Sequence, residues 1–173
     1  MSIKGARPND RHIAAHLFLQ NVDRAVAFYR DAFGAVELYR STMPNGTVVH
    51  AQLKIGDSVL GISREHPEIE QALVPEEQRG IRLRAPESVG VTGVVLEMYV
   101  DDVDGVYQRA VDAGAEARIP LTDTFFGDRY GQLTDPFGHV WALATVLEEL
   151  TPAEVERRMM SDVPDFPKME MEN

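Results

Sequence analysis

One pattern occurs twice in this chain, and the two copies keep a single spacing from start to end. Val22-Asp23 stands just before an apolar-periodic stretch, Ala25-Val26-Phe28-Tyr29-Ala32-Phe33-Gly34. Val103-Asp104 stands before a second, Val106-Tyr107-Ala110-Val111-Gly114. The offset is 81 positions (103 minus 22), and it also carries Leu60-Gly61-Ile62 onto Trp141-Ala142-Leu143. An offset that relates both the starts and the ends of two segments implies two copies of one unit packed side by side, neither able to bury its apolar face alone. Such a pair leaves a shared surface, the natural place to hold a small molecule.

Local patterning gives each unit the order β-α-β-β-β. Residues 13–20 read as a strand, Asn21 or Asp23 caps the following helix, and Gly34 ends it. Residues 36–41 alternate as a strand, and Pro44-Asn45-Gly46 marks a hairpin turn because Asn-Gly tolerates positive φ. In 47–55, Val49, Ala51, Leu53 and Ile55 face one way and His50, Gln52 and Lys54 the other. Gly56-Asp57 turns the chain into a strand at 58–63. The second copy has a strand over 94–100, a helix over 104–113 and strands over 117–119, 130–134 and 140–146, with Asp135-Pro136-Phe137-Gly138 as the last tight turn. Asp101-Asp102 with Asp104 reads as a helix start, since a calcium loop needs a longer ligand spacing ending in Glu.

The expected division is a flexible arm at 1–11, a first module at 12–63, a connector at 64–91, a second module at 92–147 and a final segment at 148–173. The connector is punctuated by prolines and glycines and has the length of a lid or binding element, with a short helix around 69–73. Thr151-Pro152-Ala153-Glu154 is a capping box that starts a helix over 152–160, and residues 161–173 are expected to be disordered.

Composition narrows the function classes. Net charge is -11, so no basic face is available to displace counterions from nucleic acid. From Leu147 onward there are eight acids and three bases, which supplies almost half of that imbalance and reads as a solvated tail. There is no cysteine, which removes disulfides, thiolate nucleophiles and sulfur-ligated metal sites. No apolar run approaches the length of a membrane span and no signal peptide opens the chain, so a cytoplasmic location is expected.

Several phrases carry a family resemblance: Ala25-Val26-Ala27-Phe28-Tyr29-Arg30-Asp31-Ala32-Phe33-Gly34-Ala35, His50-Ala51-Gln52-Leu53-Lys54-Ile55-Gly56-Asp57-Ser58, Tyr99-Val100-Asp101-Asp102-Val103-Asp104, Gly127-Asp128-Arg129-Tyr130-Gly131 and Asp135-Pro136-Phe137-Gly138-His139-Val140-Trp141. Over about residues 12–160 the chain resembles the vicinal-oxygen-chelate superfamily of glyoxalase I, bleomycin-resistance proteins and extradiol dioxygenases, and within it the PhnB-like branch. The tail Glu149-Leu150-Thr151-Pro152-Ala153-Glu154 fits that branch too. The resemblance implies an α+β fold of two βαβββ modules, each a half-barrel, around a concave ligand cavity, and a homodimer. Its metalloenzymes place one ligand on the first and last strand of each module. Here those positions align with Ala14, Gly61, Val95 and Ala142, none of which has a donor side chain. No metal and no cofactor are therefore expected.

If positions 14 and 95 point into the cavity, strand parity sends His16, Phe18, Glu97 and Tyr99 the same way. His16 and Glu97 are related by the repeat offset and form the candidate acid–base pair. His50 and Gln52 share the face opposite their strand's apolar one, and Phe125, Phe126, Arg129 and Tyr130 are candidates for the rim. Trp141, Phe28 and Tyr29 read as core, and His139 as a turn residue.

Three functions compete. The first is a metal-independent protein that sequesters an apolar or aromatic small molecule, as resistance proteins of the superfamily do. The second is a cofactor-free isomerase, lyase or cyclase that uses His16 and Glu97. The third is a metalloenzyme with displaced ligands, drawn from His16, His50 and Glu97. In each case the expected partners are a small molecule and a second copy of the chain, with no nucleic acid and no membrane.

Overall fold

A computed structural model describes residues 13–78 and 83–162. The expected arm at 1–11, His12 and residues 163–173 of the expected tail lie outside them. In chain order the elements are β1 (Ala15–Leu19), α1 (Val22–Phe33), β2 (Val36–Thr42), β3 (Val48–Ile55) and β4 (Ser58–Arg64). The connector holds α2 (Pro67–Leu73), a 3-10 turn (Glu76–Gln78) and α3 (Pro86–Val89). Then come β5 (Val95–Tyr99), α4 (Val103–Asp112), β6 (Glu116–Asp123), β7 (Asp128–Thr134), β8 (Val140–Val146) and α5 (Pro152–Asp162). No helix among the described residues is long and apolar enough to cross a membrane.

The strands form two four-stranded mixed sheets, ordered β1-β4-β3-β2 and β5-β8-β7-β6. In each, the first strand pairs parallel with the last and the remaining pairs are antiparallel. This is the α+β arrangement of two βαβββ modules, and the sheets do not close into barrels. The caps explain where the long helices begin and end. The Asn21 side chain accepts from the Arg24 amide at 3.0 Å, and Gly34 leaves α1 at φ 67°. Asp102 caps α4 by accepting from the Gly105 amide at 2.9 Å.

Each helix covers one sheet face, and the two helices meet in one core. Leu17 and Leu19 of β1, Ala51 and Leu53 of β3 and Ile62 of β4 bury against the apolar stripe of α1. Leu133, Trp141 and Leu143 do the same beneath Val103, Val106 and Ala110 of α4. The Trp141 ring lies 4.6 Å from Phe33 and 5.5 Å from Tyr29, so an indole of the second module packs on the helix of the first.

Three features differ from the sequence expectation. Helix α5 runs to Asp162, two residues into the segment expected to be disordered. The strand expected at 117–119 runs from Glu116 to Asp123 and contains Pro120. It is an edge strand with register shifts at Ala117/Ile119 and Ile119/Thr122, and edges and bulges are where a strand tolerates a residue without an N–H. His139 is more than a turn residue: it is buried, its amide donates to Asp135 Oδ1 at 2.9 Å, and its Nε2 lies 3.1 Å from the Phe18 carbonyl.

Candidate functional site

The sheet faces away from α1 and α4 are the open ones. In β1, Leu17 and Leu19 are buried while His16 and Phe18 stand on the other side. In β5, Glu97 and Tyr99 are exposed on the corresponding side. β1 and β5 are the edge strands of their sheets. A cavity of about 580 Å³ brings Ala14 and Ala15 beside Leu96–Val100 and the β3–β4 turn. At the other end of β1, Phe18 meets His139, which directly precedes Val140, the register partner of Val95. The two edge strands therefore pass one another in opposite senses, with His16 and Glu97 at mid-strand.

On the first sheet a polar group is already assembled. His16 Nε2 lies 2.8 Å from the Ser63 hydroxyl, and His50 Nδ1 lies 2.9 Å from the same oxygen. Register explains the meeting, since Ser63 pairs with both Phe18 and His50. Phe18 stacks on His16 with ring centroids 5.3 Å apart, and the two imidazoles are 5.5 Å apart. Partial burial, and then the nearby His50, hold the His16 pKa below its ordinary value and favour the neutral ring. A hydroxyl has one proton to donate, so Ser63 can donate to only one of the two rings and accepts from the other. Gln52 sits next along the face, opposite Gly61.

Gly61 is what admits this arrangement. A Cβ at position 61 would lie 3.0 Å from His16 Nδ1, so the imidazole occupies the space a side chain would need. This bears on the metal that the superfamily implies. Ala14, Gly61, Val95 and Ala142 supply no donor, and the space above Gly61 is filled by His16. The residues present do not fit a divalent ion there. The displaced set fares no better, because both histidines turn ring nitrogens to Ser63 and no group of three potential ligands converges among the described residues.

On the second sheet, the Tyr99 hydroxyl donates to Asp128 Oδ2 at 3.0 Å. Burial, reinforced by that carboxylate, raises the Tyr99 pKa and keeps the phenol protonated. Tyr130 accepts from Gln132 Nε2 at 2.6 Å and packs against Phe126, centroids 6.0 Å apart. Phe125 meets Phe126 edge-on at 5.2 Å. Ala142 and Ala144, in register with Glu97 and Tyr99, are buried beneath the side chains of this face. Glu97 makes no hydrogen bond or ion pair with a described residue, His16 included. Arg129 lies on the other side of β7, where it bridges Asp104 of α4 and Asp123 of β6 at 2.7 and 2.9 Å. It ties helix to sheet instead of forming the rim.

The Phe125–Phe126 turn depends on Gly127, which has φ 92°. Its carbonyl accepts from the amides of Leu147 and Glu148, and a Cβ there would lie 2.5 Å from the Glu148 carbonyl oxygen. Gly127→Ala should cost about 2–3 kcal/mol, from the left-handed backbone and the collision together. Urea unfolding checks this, and a loss below about 0.5 kcal/mol would contradict it.

Ser63 is the residue that sequence reasoning missed. The parity that selects position 61 on β4 also selects position 63, so the signal was present in the spacing.

This architecture coincides with what the comparisons find. Residues 11–143 match the model of the Glyoxalase/Bleomycin resistance protein/Dioxygenase superfamily, and the chain belongs to that family. An uncharacterised protein of Mycobacterium bovis is 36% identical over 149 residues, covering 86% of this chain and 92% of its own length. Among solved structures, TioX from Micromonospora sp. ML1 aligns with TM-score 0.59 at 28% identity, over 79% of this chain and 99% of TioX. A PhnB protein from Bacillus cereus shares the fold with TM-score 0.56 at 17% identity, over 79% of this chain and 100% of its own.

Proposed function

We propose that this protein is a metal-independent binder of an apolar or aromatic small molecule, held on the open sheet faces near the β1–β5 seam, and that it works as a homodimer. The observation that carries the reading is the His16–Ser63–His50 group beside the stacked Phe18. It offers a ligand a polar anchor next to an aromatic surface, and Gly61 commits the family's metal position to an imidazole. Tyr99, Phe126 and Tyr130 supply further aromatic surface on the second sheet. The four edge strands of the open sheets favour burial against a second copy.

The test is a thermal-shift screen of aromatic compounds, followed by calorimetry on the hits. His16→Ala and Ser63→Ala should each weaken a hit by about 0.5–1.5 kcal/mol, the net contribution of one hydrogen bond at a partly exposed site. Unchanged affinity in both variants would overturn the reading. Light scattering on the same samples should return twice the 19.3 kDa chain mass.

A second reading, an acid–base enzyme, is favoured by one feature. The Ser63 hydroxyl links two imidazoles, a path along which a proton can move, while the Glu97 carboxylate has no described partner. Glu97→Gln separates the two readings: turnover lost with affinity kept marks the enzyme.

A further inference from the structure

A second cavity, of about 850 Å³, lies on the open face of the second sheet where the connector passes over the starts of β5 and β8. Its floor is Val95 and Val140, which are register partners, with Gln132 and Thr134 of β7 beside them. The backbone from Gly90 to Val94 forms a wall. Val91, Val94 and Val95 are 70%, 61% and 51% exposed, so apolar surface here is left to water. The volume falls within the roughly 300–1,000 Å³ of small-molecule sites.

The lining contains two charged side chains. Glu87 is a wall fixture: its carboxylate accepts from the Gln20 amide at 2.6 Å and its own amide donates to the Phe137 carbonyl. Arg118 stands on β6, the far edge of the sheet, exposed and without a hydrogen bond or ion pair to any described residue. Arg30, Arg40, Arg84, Arg129, Arg157 and Arg158 each hold a carboxylate, whereas Arg118, like Arg24, Arg64 and Arg109, forms no ion pair with a described residue; of these four, Arg118 alone lines this cavity. A guanidinium left open at the edge of an apolar hollow is a ready partner for a planar anion.

We infer that this cavity binds an amphiphilic organic anion, a carboxylate, sulfonate or phosphate on an apolar body, with Arg118 on the anionic group and Val95 and Val140 beneath the body. The site shares no residue with the His16–Ser63–His50 group, but its Gln132 donates to Tyr130 on the same open face, so the inference extends the binding reading above to a class of ligand. Sulfonate binding that is lost in Arg118→Gln and kept in His16→Ala separates the two.

The probe is anilinonaphthalene sulfonate, compared with phenylnaphthylamine, a related apolar body without the charge. Fluorescence titration in low salt should give saturable binding of both to the wild-type protein. Arg118→Gln should weaken the sulfonate about tenfold and leave the neutral compound unchanged. Arg157→Gln removes the same charge from an exposed helix and should change neither. Val95→Trp fills the floor and should weaken both, which locates the probes. The inference is overturned by the absence of saturable wild-type binding, by equal losses in Arg118→Gln and Arg157→Gln, or by probe binding indifferent to Arg118→Gln or to Val95→Trp. It is also overturned if Arg118→Gln or Val95→Trp changes the particle mass in light scattering, which would make this face an interface between copies.

Discussion

Asp135→Ala should lower the unfolding free energy by about 3–5 kcal/mol, a large share of the roughly 5–15 kcal/mol that holds a domain together. Asp135 is 4% exposed and its carboxylate accepts four hydrogen bonds. The Tyr29 hydroxyl and the Trp141 indole N–H reach Oδ2 at 2.7 and 3.0 Å, and the amides of Phe137 and His139 reach Oδ1 at 2.9 Å each. Removing the acceptor leaves several buried donors unpaired at about 1–3 kcal/mol apiece, with partial relief from relaxation and water. Tyr29→Phe removes one donor and leaves three around the carboxylate, so it should cost only about 1 kcal/mol. Asn is no remedy, because its amide nitrogen would face donors. Urea denaturation of the three variants checks the order. An Asp135→Ala loss below about 1 kcal/mol would show that water replaces the carboxylate without cost.

Asp135 also marks where sequence reading stops. In Asp135-Pro136-Phe137-Gly138 it has the signature of a turn residue, and it is one. Its second role depends on Tyr29, 106 positions away, and on Trp141 across the strand. Repeat spacing and periodicity report which face a residue occupies, so both βαβββ units and the buried stripes of α1 and α4 were readable. They do not report which polar groups from distant segments converge on one atom. Arg129 teaches the complementary lesson. It cannot share a face with its neighbour Tyr130 on β7, because successive strand residues point to opposite sides. Grouping the two as rim residues set aside the alternation that puts His16 and Phe18 on one face of β1. The same alternation carried from Gly61 to Ser63 would have revealed the hydroxyl between the histidines. The connector was legible as long and interrupted, but not as fastened. Glu65 accepts from Arg84 Nε at 3.0 Å, from the Ala85 amide at 2.8 Å and from the Ser88 hydroxyl, and this anchors its second half to the end of β4.

Under the acid–base reading, Glu97→Gln should reduce turnover about 10²–10⁴-fold while leaving most of the affinity, the usual scale for removing a positioned proton carrier. The expectation rests on the different settings of the two candidate groups. The His16 ring is biased toward its neutral form and is joined to His50 through Ser63, so a proton taken at one ring has a second ring to relay to. The Glu97 carboxylate stands mid-strand on β5 without a hydrogen-bond or ion-pair partner among the described residues, in the lining of the cavity of about 580 Å³. Glutamine keeps the shape and a hydrogen-bonding oxygen but cannot exchange a proton, so binding and chemistry separate in this one variant. Ser63→Ala provides the second axis. It breaks the link between the imidazoles without touching Glu97, and in an enzyme it should lower kcat more than it raises KM. In a binder, Ser63→Ala weakens affinity and Glu97→Gln changes affinity alone, with no product formed by any variant. Single-turnover assays on compounds that shift the melting temperature, run beside calorimetry on the same preparations, distinguish the outcomes. Wild-type turnover that survives Glu97→Gln within a factor of about three would remove Glu97 from the mechanism and leave His16 and Ser63 as ligand contacts only.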